Sequence, residues 1–422
     1  MMLAASFAVQ AARPVDVAII GGGPCGLATA LALSKARSLQ GATLEVFESD
    51  AFGPKGASIQ ISRYGWAALT AIDMDAARRI RANGEPVTRI SLRALGGASL
   101  TPAPVRVFMA IVGVLFGLLR RVGIRRGLAR THLWHDVREV LRERVEARGV
   151  VLRPSKMLVE MTEEAGARWP DGANFVRLRF DDGDEVAARV VLACDGASST
   201  CRRLLPTEAD DLLIDERKSV WRGQAVGLDT GGEATFYKDD AGRSGLIFPA
   251  GVGQGSSWSL ICDSVAGRSR SSEEARARLA AALPDELDAT LRQAIDASPL
   301  VIEGKLQTRD WSKPWASGAP RVAFLGDAAH PLRPTGEGTA LALEDAWTVG
   351  SLAAATETAD AFCDPTTLRR YEASRRARVE AVSDAVRLAA NRFYKEPKDK
   401  GTSIATSVRR AFKAHPIVCT PL

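Results

Sequence analysis

The 422-residue sequence predicts a mixed α/β fold that combines two kinds of sheet. Val15–Ile20 is a short apolar run that ends in a glycine-rich turn, and Leu27–Ala36 then has the Ala and Leu content of a helix. Thr43–Glu48 follows as a second strand, which completes a β-α-β unit with an expected right-handed crossover. Residues 221–262 instead alternate short strand-like segments with Gly and Ser, a pattern that predicts an antiparallel meander. We therefore predict a Rossmann-like domain into which an antiparallel-sheet domain is inserted.

Two further apolar runs each end in a polar turn. Val186–Cys194 is closed by Asp195-Gly196, and Arg321–Leu325 is closed by Gly326-Asp327, so both predict strands that deliver polar groups to a site. The meander segments are Trp221–Leu228, Thr235–Tyr237, Gly245–Pro249 and Ser257–Cys262. Helical patterns lie at Gly65–Ile72, Ala76–Asn83, Glu273–Ile295 and, as a long final helix, about Thr367–Tyr394.

The order of these elements predicts the domain organisation. Residues 14–205 form the first part of the nucleotide-binding domain, with an atypical apolar and basic insert at 101–130. Residues 206–309 form the antiparallel sheet of a substrate domain. Residues 310–365 return to the nucleotide-binding domain with the Gly-Asp turn, and residues 366–422 form the C-terminal helix and tail.

Composition excludes several classes of protein. Hydrophobic residues make up 46% and charged residues 25% of the chain, which is ordinary globular composition and excludes wholesale disorder, collagen and a polytopic membrane protein. A net charge of +6 is too small an excess to indicate nucleic-acid binding. The six cysteines are dispersed without a CxxC pair and there are only four histidines, so we expect reduced thiols and no metal site.

The glycine-rich turn has the spacing Gly21-x-Gly23-x-x-Gly26. Gly21 permits a tight turn, Gly23 lets the backbone approach a pyrophosphate, and Gly26 lets the helix pack closely on the strand. The free N–H groups at the helix N-terminus attract phosphate. Glu48, at the end of the second strand, is placed to accept hydrogen bonds from a ribose diol. The motif predicts dinucleotide binding, and the acidic residue favours FAD or NAD over NADP at this position.

Three linked motifs resemble the flavoprotein aromatic hydroxylases, the class A FAD-dependent monooxygenases of the p-hydroxybenzoate hydroxylase type. They are the glycine motif with Glu48, the segment Asp195–Arg202, and the segment Gly326–Gly338, and the resemblance extends from about Val15 to about Arg378. It implies that the first binds the ADP moiety of FAD, the second contacts FAD and NAD(P)H, and the third holds the ribityl and pyrophosphate groups. Arg130-x-x-Leu133 is similar to a family segment whose Arg contacts the cofactor. The implied FAD-binding residues are Gly21, Gly23, Gly26, Glu48, Arg130, Asp195, Gly196, Arg202, Gly326, Asp327, Gly336 and Gly338.

The resemblance also implies the reaction. NADH or NADPH reduces bound FAD, and a flavin C4a-hydroperoxide formed with O2 transfers one oxygen atom to an electron-rich aromatic or unsaturated small molecule, an isoprenoid included. No catalytic acid or base is assigned, because the flavin does the chemistry. Pro334 is expected near the flavin face, and the helix N-terminus at Gly336–Gly338 is expected to stabilise an anionic ring. The sequence departs from the family at Glu337, where Gln is common, and at Ala340, where Asn is common.

Other functions of the same fold stay open at this point. A reductase of isoprenoid double bonds or a halogenase would use the same cofactor, but Trp311–Trp315 does not match the W-x-W-x-I-P motif of halogenases. A non-enzymatic scaffold is disfavoured by the intact Gly326-Asp327 motif. A small-molecule substrate and O2 are the expected partners, with no nucleic acid and no obligate protein partner.

Several residues are candidates without an assigned chemistry. Arg63, Tyr64, Trp221 and Arg222 are candidates for lining the substrate cavity, although packing or surface ion pairs explain them equally well. His330 lies in the cofactor loop and is expected beside the cofactor. We predict that His132 and His135 lie on a helix and have structural roles.

The apolar run Phe108–Leu119 is unusual, because arginines follow it at positions 120, 121, 125, 126 and 130. Twelve apolar residues are fewer than the roughly 20 that a membrane-spanning helix needs. We favour a buried helix or a wall of the substrate cavity; the alternative is peripheral contact with an anionic membrane through Phe108–Arg126. The expected location is intracellular, in the cytoplasm or an organelle lumen, because no signal peptide is visible.

Overall fold

The computed structural model describes residues 12–53, 58–122, 126–164, 174–205, 214–267, 269–309, 315, 319–395 and 404–422. Its strands are β1 (Arg13–Ile20), β2 (Leu44–Phe47), β3 (Ser58–Gln60), β4 (Glu85–Val87), β5 (Arg89–Ala94), β6 (Ala129–Leu133), β7 (Val151–Arg153), β8 (Leu158–Glu164), β9 (Phe175–Phe180), β10 (Glu185–Ala193), β11 (Ile214–Ala225), β12 (Glu233–Lys238), β13 (Ser244–Pro249), β14 (Ser256–Asp263), β15 (Val301–Thr308) and β16 (Val322–Phe324). Its helices are α1 (Pro24–Leu33), α2 (Arg63–Ile72), α3 (Met74–Asn83), α4 (Ala103–Arg121), α5 (Trp134–Glu146), α6 (Thr200–Leu204), α7 (Ser272–Ala282), α8 (Ala289–Asp296), α9 (Gly338–Ala354), α10 (Ala359–Phe362), α11 (Pro365–Lys395) and α12 (Ile404–Ala414).

The first sheet has the order β7-β2-β1-β10-β9-β8, with β16 paired to β10. β1 pairs in parallel with β2 and with β10, and β16 continues the parallel arrangement, while β8 and β9 form an antiparallel edge. The central strands β1 and β10 are buried over most of their length because helices pack on the sheet, and α1 contacts both α5 and α9. The predicted β-α-β unit and the two strands that precede the polar turns are therefore confirmed.

The second sheet has the order β15-β11-β14-β13-β12-β5. Strands β12, β13 and β14 form an antiparallel meander as predicted, whereas β11 pairs with β14 rather than with β12, the strand that follows it in the chain. The pairs of this sheet are antiparallel except for β5 with β12, which is parallel. One face of this sheet forms a separate hydrophobic cluster with α7 and α8, in which Trp221, Tyr237 and Trp258 are buried. A third, three-stranded antiparallel sheet has the order β3-β6-β4.

Two of the predicted helices differ from the structure. The single helix predicted at Glu273–Ile295 is in fact α7 and α8, and the break falls where Leu283 is extended before Pro284. His132 lies on strand β6 rather than on a helix, while His135 lies on α5. His132 is buried, and this burial lowers its pKa to about 4, which fits the structural role expected for it. The long final helix is confirmed as α11.

The expectation of a buried helix at Phe108–Leu119 is wrong. The apolar run lies within α4, which spans 19 residues and has no buried residue. The second sheet already packs one face on α7 and α8, and α4 packs instead against its edge strand β5. The apolar helix is also longer than the run suggested, and by length and composition alone it is long and apolar enough to cross a membrane.

Candidate cofactor and substrate site

A cavity of about 440 Å³ opens at the carboxyl ends of the parallel strands of the first sheet. This is the edge at which open α/β sheets bind ligands, and the volume falls within the range of about 300–1,000 Å³ that is typical of ligand sites. All three predicted motifs contribute to its wall, including Gly21, Glu48, Asp195, Asp327 and Gly338. The structure thus brings together turns that are more than 300 residues apart in the chain.

The glycine-rich turn has the steric requirements that the motif predicts at two of its positions. Gly21 has φ +107°, and a Cβ there would lie 2.5 Å from the carbonyl oxygen of Cys194. A Cβ on Gly26 would lie 1.9 Å from the carbonyl oxygen of Gly21. A side chain at position 21 would force the turn after β1 away from the end of β10, and one at position 26 would force α1 away from that turn, because the backbone itself occupies the space. Gly23 has no contact this close, and its role is to precede the N-terminus of α1, where N–H groups are available to an anion.

Glu48 lies at the end of β2 and is buried. Its Oε2 accepts a hydrogen bond from the N–H of Gly22 at 2.7 Å, and its Oε1 accepts one from the N–H of Asp50 at 3.0 Å. The carboxylate therefore ties the glycine-rich turn to the neighbouring strand. A carboxylate has about four lone-pair positions, so Glu48 retains capacity for hydroxyl donors in the cavity that it lines.

The Asp195-Gly196 turn follows β10 in the same cavity wall. Gly196 has φ +77°, which favours glycine. Asp195 Oδ2 accepts from the N–H of Cys201 at 2.9 Å, whereas its Oδ1 is buried with no hydrogen-bond partner within the described residues. Because buried carboxylate oxygens are normally paired, this orphaned acceptor in a cavity wall indicates a missing hydroxyl or amide donor.

Asp327 faces the cavity from the turn after β16. Gly326 makes the turn with φ +58°, and a Cβ there would lie 2.9 Å from Cys25 Sγ. The Asp327 side chain is accessible from the cavity, but the surrounding protein desolvates it and raises its pKa, to which Asp345 also contributes. His330 and Arg222 act in the opposite direction. Arg222 comes from the second sheet, so the two sheets contribute opposite charges to this region.

A buried ion network holds the Asp327 turn in place. Asp345 on α9 accepts from the N–H of Gly326 at 2.8 Å and from Arg375 Nε at 2.6 Å, and its Oδ2 lies 2.6 Å from His330 Nε2. Burial disfavours the charged carboxylate, but the charges of His330 and Arg375 outweigh it and lower the pKa of Asp345. Glu344 extends the network to Arg378, whose Nε lies 2.8 Å away. His330 is thus held beside the Asp327 turn and does not line the cavity.

Arg130 and Arg202, which the resemblance implies as FAD-binding residues, do not line the cavity. Arg202 Nε donates to the carbonyl oxygen of Ala328 at 3.0 Å, and its guanidinium lies 4.2 Å from the centre of the Phe324 ring. Arg130 Nη1 donates to the carbonyl oxygen of Gly84 at 2.7 Å. Each guanidinium donates to backbone carbonyls and so holds a neighbouring turn in place. Direct contact of Arg130 and Arg202 with a cofactor therefore stays a prediction.

The cavity contains a cation that sequence reasoning missed. Arg138 on α5 is fully buried, lines the cavity beside Trp134, and lies 4.8 Å from the centre of a Trp134 ring. Its Nη1 lies 3.4 Å from Asp50 Oδ1. The sequence around Arg138 could have identified it, because it lies among the apolar residues Val137, Val140 and Leu141. An arginine on the buried face of an amphipathic helix needs a partner or a ligand.

The loop before α9 carries the remaining cofactor candidates. Gly336 has φ +92°, and Gly338 begins α9 at the cavity wall. Burial raises the pKa of Glu337, which precedes Gly338, and its Oε2 has no partner among the described residues. Pro334 is exposed in this loop, and its position relative to a flavin stays a prediction.

The four candidates for lining the substrate cavity lie in different surroundings in the structure. Arg222 is accessible, and within the described residues it makes no hydrogen bond or ion pair. Trp221 points to the opposite face of β11 and is fully buried in the cluster with α7 and α8, so it is not placed to line a cavity with Arg222. Tyr64 stacks on Phe412 of α12 with ring centres 4.1 Å apart, and Arg63 is exposed with its Nη2 2.5 Å from the Tyr64 hydroxyl.

The family described as FAD binding domain matches residues 131–386, which is more than half of the chain. The chain belongs to this family. It is a class A FAD-dependent monooxygenase that uses FAD as cofactor and, as is typical of the family, NADH or NADPH as co-substrate. The enzyme therefore acts with incorporation of oxygen, as the sequence motifs predicted.

Relatives and solved structures agree with this assignment. The FAD-dependent monooxygenase is 28% identical over 404 residues to 3-amino-4-hydroxybenzoate 2-monooxygenase PtnB3 of Streptomyces platensis, with 90% of this chain and 88% of the relative covered. It is 25% identical to the chloroplastic zeaxanthin epoxidase of Nicotiana plumbaginifolia, but 90% of this chain spans only 55% of that relative. The fold matches Klebsiella pneumoniae HpxO complexed with FAD and uric acid, with a TM-score of 0.66, 21% identity, and coverage of 94% and 91% of the two chains.

Proposed function

We propose that this monooxygenase holds FAD along the cavity between Glu48 and the N-terminus of α9. In this arrangement Glu48 binds the adenosine ribose, the N-terminus of α1 binds the pyrophosphate, and Asp327 binds a hydroxyl of the ribityl chain. The orphaned Oδ1 of Asp195 supports the proposal, because it supplies an acceptor with no donor in the described protein. We also propose the domain division at residues 205, 309 and 365, with the second sheet as the substrate domain.

When bound, FAD supplies the redox chemistry, taking electrons from NAD(P)H and activating O2 for transfer of one oxygen atom to the substrate. The chain contributes binding, orientation and electrostatics. The N-terminus of α9 directs N–H groups toward the cavity and favours negative charge there. Burial raises the pKa of Glu337, so its carboxyl group stays neutral to a higher pH than a free carboxyl does, and in that form it donates a hydrogen bond as Gln would.

We propose an electron-rich aromatic substrate that carries a carboxylate or phenolate. The observation that carries this is Arg222, an accessible cation with no ion-pair partner among the described residues, on the sheet that faces Asp327. An accessible guanidinium without a carboxylate partner is available to bind an anionic ligand through charge-assisted hydrogen bonds. The named substrate of the Streptomyces relative, an aminohydroxybenzoate, has this chemistry.

The first experiment is an absorption spectrum of the purified chain with mass identification of any released cofactor, followed by NAD(P)H oxidation with a panel of hydroxybenzoates. Stoichiometric FAD and oxidation that a panel member accelerates are expected. Arg222→Gln should raise KM for the carboxylate substrate far more than for its uncharged amide. Equal effects on acid and amide would exclude Arg222 as the anion site.

An unsaturated isoprenoid is the second candidate, because the chain resembles zeaxanthin epoxidase over the matched half of that protein and carries the exposed apolar helix α4. We propose peripheral membrane contact through Phe108–Arg126 in this connection. The product distinguishes the two candidates, because an aromatic substrate gains a ring hydroxyl and an unsaturated isoprenoid gains an epoxide. With labelled O2, either product carries one labelled atom, whereas the product of a reductase or halogenase carries none.

A further inference from the structure

Helix α4 presents an apolar surface that the rest of the described chain leaves uncovered. Its six most exposed large apolar side chains are between 53% and 64% exposed. We call them the apolar face; they are Val107, Phe108, Ile111, Val114, Leu115 and Leu118. Contiguous exposed apolar surface on a protein indicates a binding partner that removes it from water.

The helix is held on the protein by its other side. Met109, Val112, Phe116 and Leu119 are only half-buried, but they recur every three or four residues and form one stripe along the helix. Arg120 Nη1 lies 2.9 Å from Glu85 Oε1, and a Cβ on Gly113 would lie 2.6 Å from Cδ of Arg89. These contacts direct the apolar face outward, and a helix that crossed a bilayer would have to break them.

The charge of the surrounding segment has a single sign. The fifty residues from Pro86 to His135 contain eight arginines and no Asp, Glu or Lys. Arg106 lies in the first turns of α4 and Arg121 in the last, and Arg126 follows the helix; all three are exposed. Basic residues that flank an exposed apolar helix complement the negative surface of an anionic membrane. Arg89, Arg93 and Arg120 pair with acidic residues of other segments, so the uncompensated charge beside the apolar face comes from the three exposed arginines. Pairing with a second copy would instead bring two such sets of arginines together.

We propose that the apolar face docks on the surface of an anionic lipid bilayer, with α4 parallel to the membrane plane. The helix is about 28 Å long at 1.5 Å per residue, and the apolar face enters the acyl boundary while the arginines lie at the headgroups. This docking does not depend on the identity of the substrate, so its test is independent of turnover.

The test measures partition of the FAD-loaded full chain onto vesicles of phosphatidylcholine alone or mixed with phosphatidylserine. We expect binding to the mixed vesicles that weakens as salt rises, because salt screens the headgroup charge. Ile111→Glu with Leu115→Glu should lower the partition coefficient by at least about a hundredfold. Arg106→Gln, Arg121→Gln and Arg126→Gln together should lower it by about a hundredfold, at roughly fivefold per arginine, and flatten the salt dependence.

The matched control is Met74→Glu with Leu300→Glu, which makes the same charge change at side chains that are 53% and 44% exposed elsewhere on the protein. It should change binding by less than about 25-fold, which is the effect of two charges alone at roughly fivefold each. Unchanged flavin absorbance in both double variants shows that the fold is retained. The proposal is overturned if the chain does not bind anionic vesicles, or if the two double variants lower the partition coefficient equally. Binding that survives high salt and alkaline carbonate would indicate a spanning helix and would also overturn it. A stable dimer that Ile111→Glu converts to monomer, without vesicle binding, also overturns it.

Discussion

Replacing Asp345 with Asn tests whether one buried carboxylate holds the Asp327 turn. The side chain is fully buried and receives Gly326 N–H, Arg375 and His330 at 2.6–2.8 Å. The amide keeps the shape but removes the charge, so Arg375 is left with one anionic neighbour, Glu344, in place of two. Breaking a buried ion pair on one side typically costs about 3–5 kcal/mol. We expect a loss of that size in the free energy of unfolding, together with weaker FAD binding.

The assay is chemical unfolding followed by tryptophan fluorescence, on the FAD-loaded and the flavin-free chain. Glu160→Gln is the matched control, because Glu160 also pairs with an arginine, Arg179 at 2.6 Å, but the two side chains are 47% and 45% exposed. Exposed pairs contribute only about 0–1 kcal/mol. If Asp345→Asn and the control substitution lower the free energy of unfolding by amounts that agree within about 0.5 kcal/mol, burial does not make the Asp345 network costly to break.

The same substitution has a predictable pH dependence. The folded protein lowers the pKa of Asp345, so its charge stabilises the fold above the unfolded value of about 3.9. That contribution is lost as pH falls through the lowered native value. The difference in stability between the wild-type chain and Asp345→Asn should therefore be largest near neutral pH and shrink in acid. A constant difference between pH 7 and pH 3 would contradict the assigned charge state.

Three further predictions concern the cavity. Gly26→Ala should abolish FAD binding and destabilise the fold, because its Cβ would lie 1.9 Å from a backbone oxygen. The control Gly117→Ala on α4 meets nothing within 4 Å, and thermal unfolding should show no loss of stability and a gain of at most about 1 kcal/mol, because Ala favours a helix more than Gly does. Glu337→Gln should flatten the pH dependence of FAD affinity, because Gln does not titrate. The pKa of Glu337 is raised, so the neutral form that donates a hydrogen bond is present at low pH and is lost as pH rises through the native pKa. Arg138→Met should weaken FAD binding at least about tenfold in a fluorescence titration, since it removes a buried cation from the cavity wall; unchanged affinity would mean that Arg138 only braces Asp50.

The sequence predicted the elements whose local chemistry is strict. The glycine spacing and its flanking apolar runs placed β1, α1 and β2 correctly, because only glycine tolerates the backbone approaches at Gly21 and Gly26. Arginine positions were harder to interpret, because a long side chain in a motif says nothing about its direction. Arg202 binds carbonyl groups behind the cavity, whereas Arg138, outside any recognised motif, lines it.

Helix α4 shows the limit of composition as a guide to burial. Phe108–Leu119 has the composition of a core helix, yet it lies against an edge strand and remains exposed. Whether an apolar helix is covered depends on which sheet faces are already occupied, and that is a property of the assembled fold. The break between α7 and α8 was by contrast readable, since Pro284 marks it.

The Asp345 network also has a consequence for the order of events during synthesis. The Asp327 turn depends on α9 and on Arg375 of α11, and β16 adds to the central sheet only after residue 321 has been made. A nascent chain can therefore complete β1, α1 and β2 early, but it cannot form the whole cavity until the last long helix has docked. Stable cofactor loading would then require that the chain has been translated and packed at least through α11, so few shorter nascent chains would carry a reactive flavin.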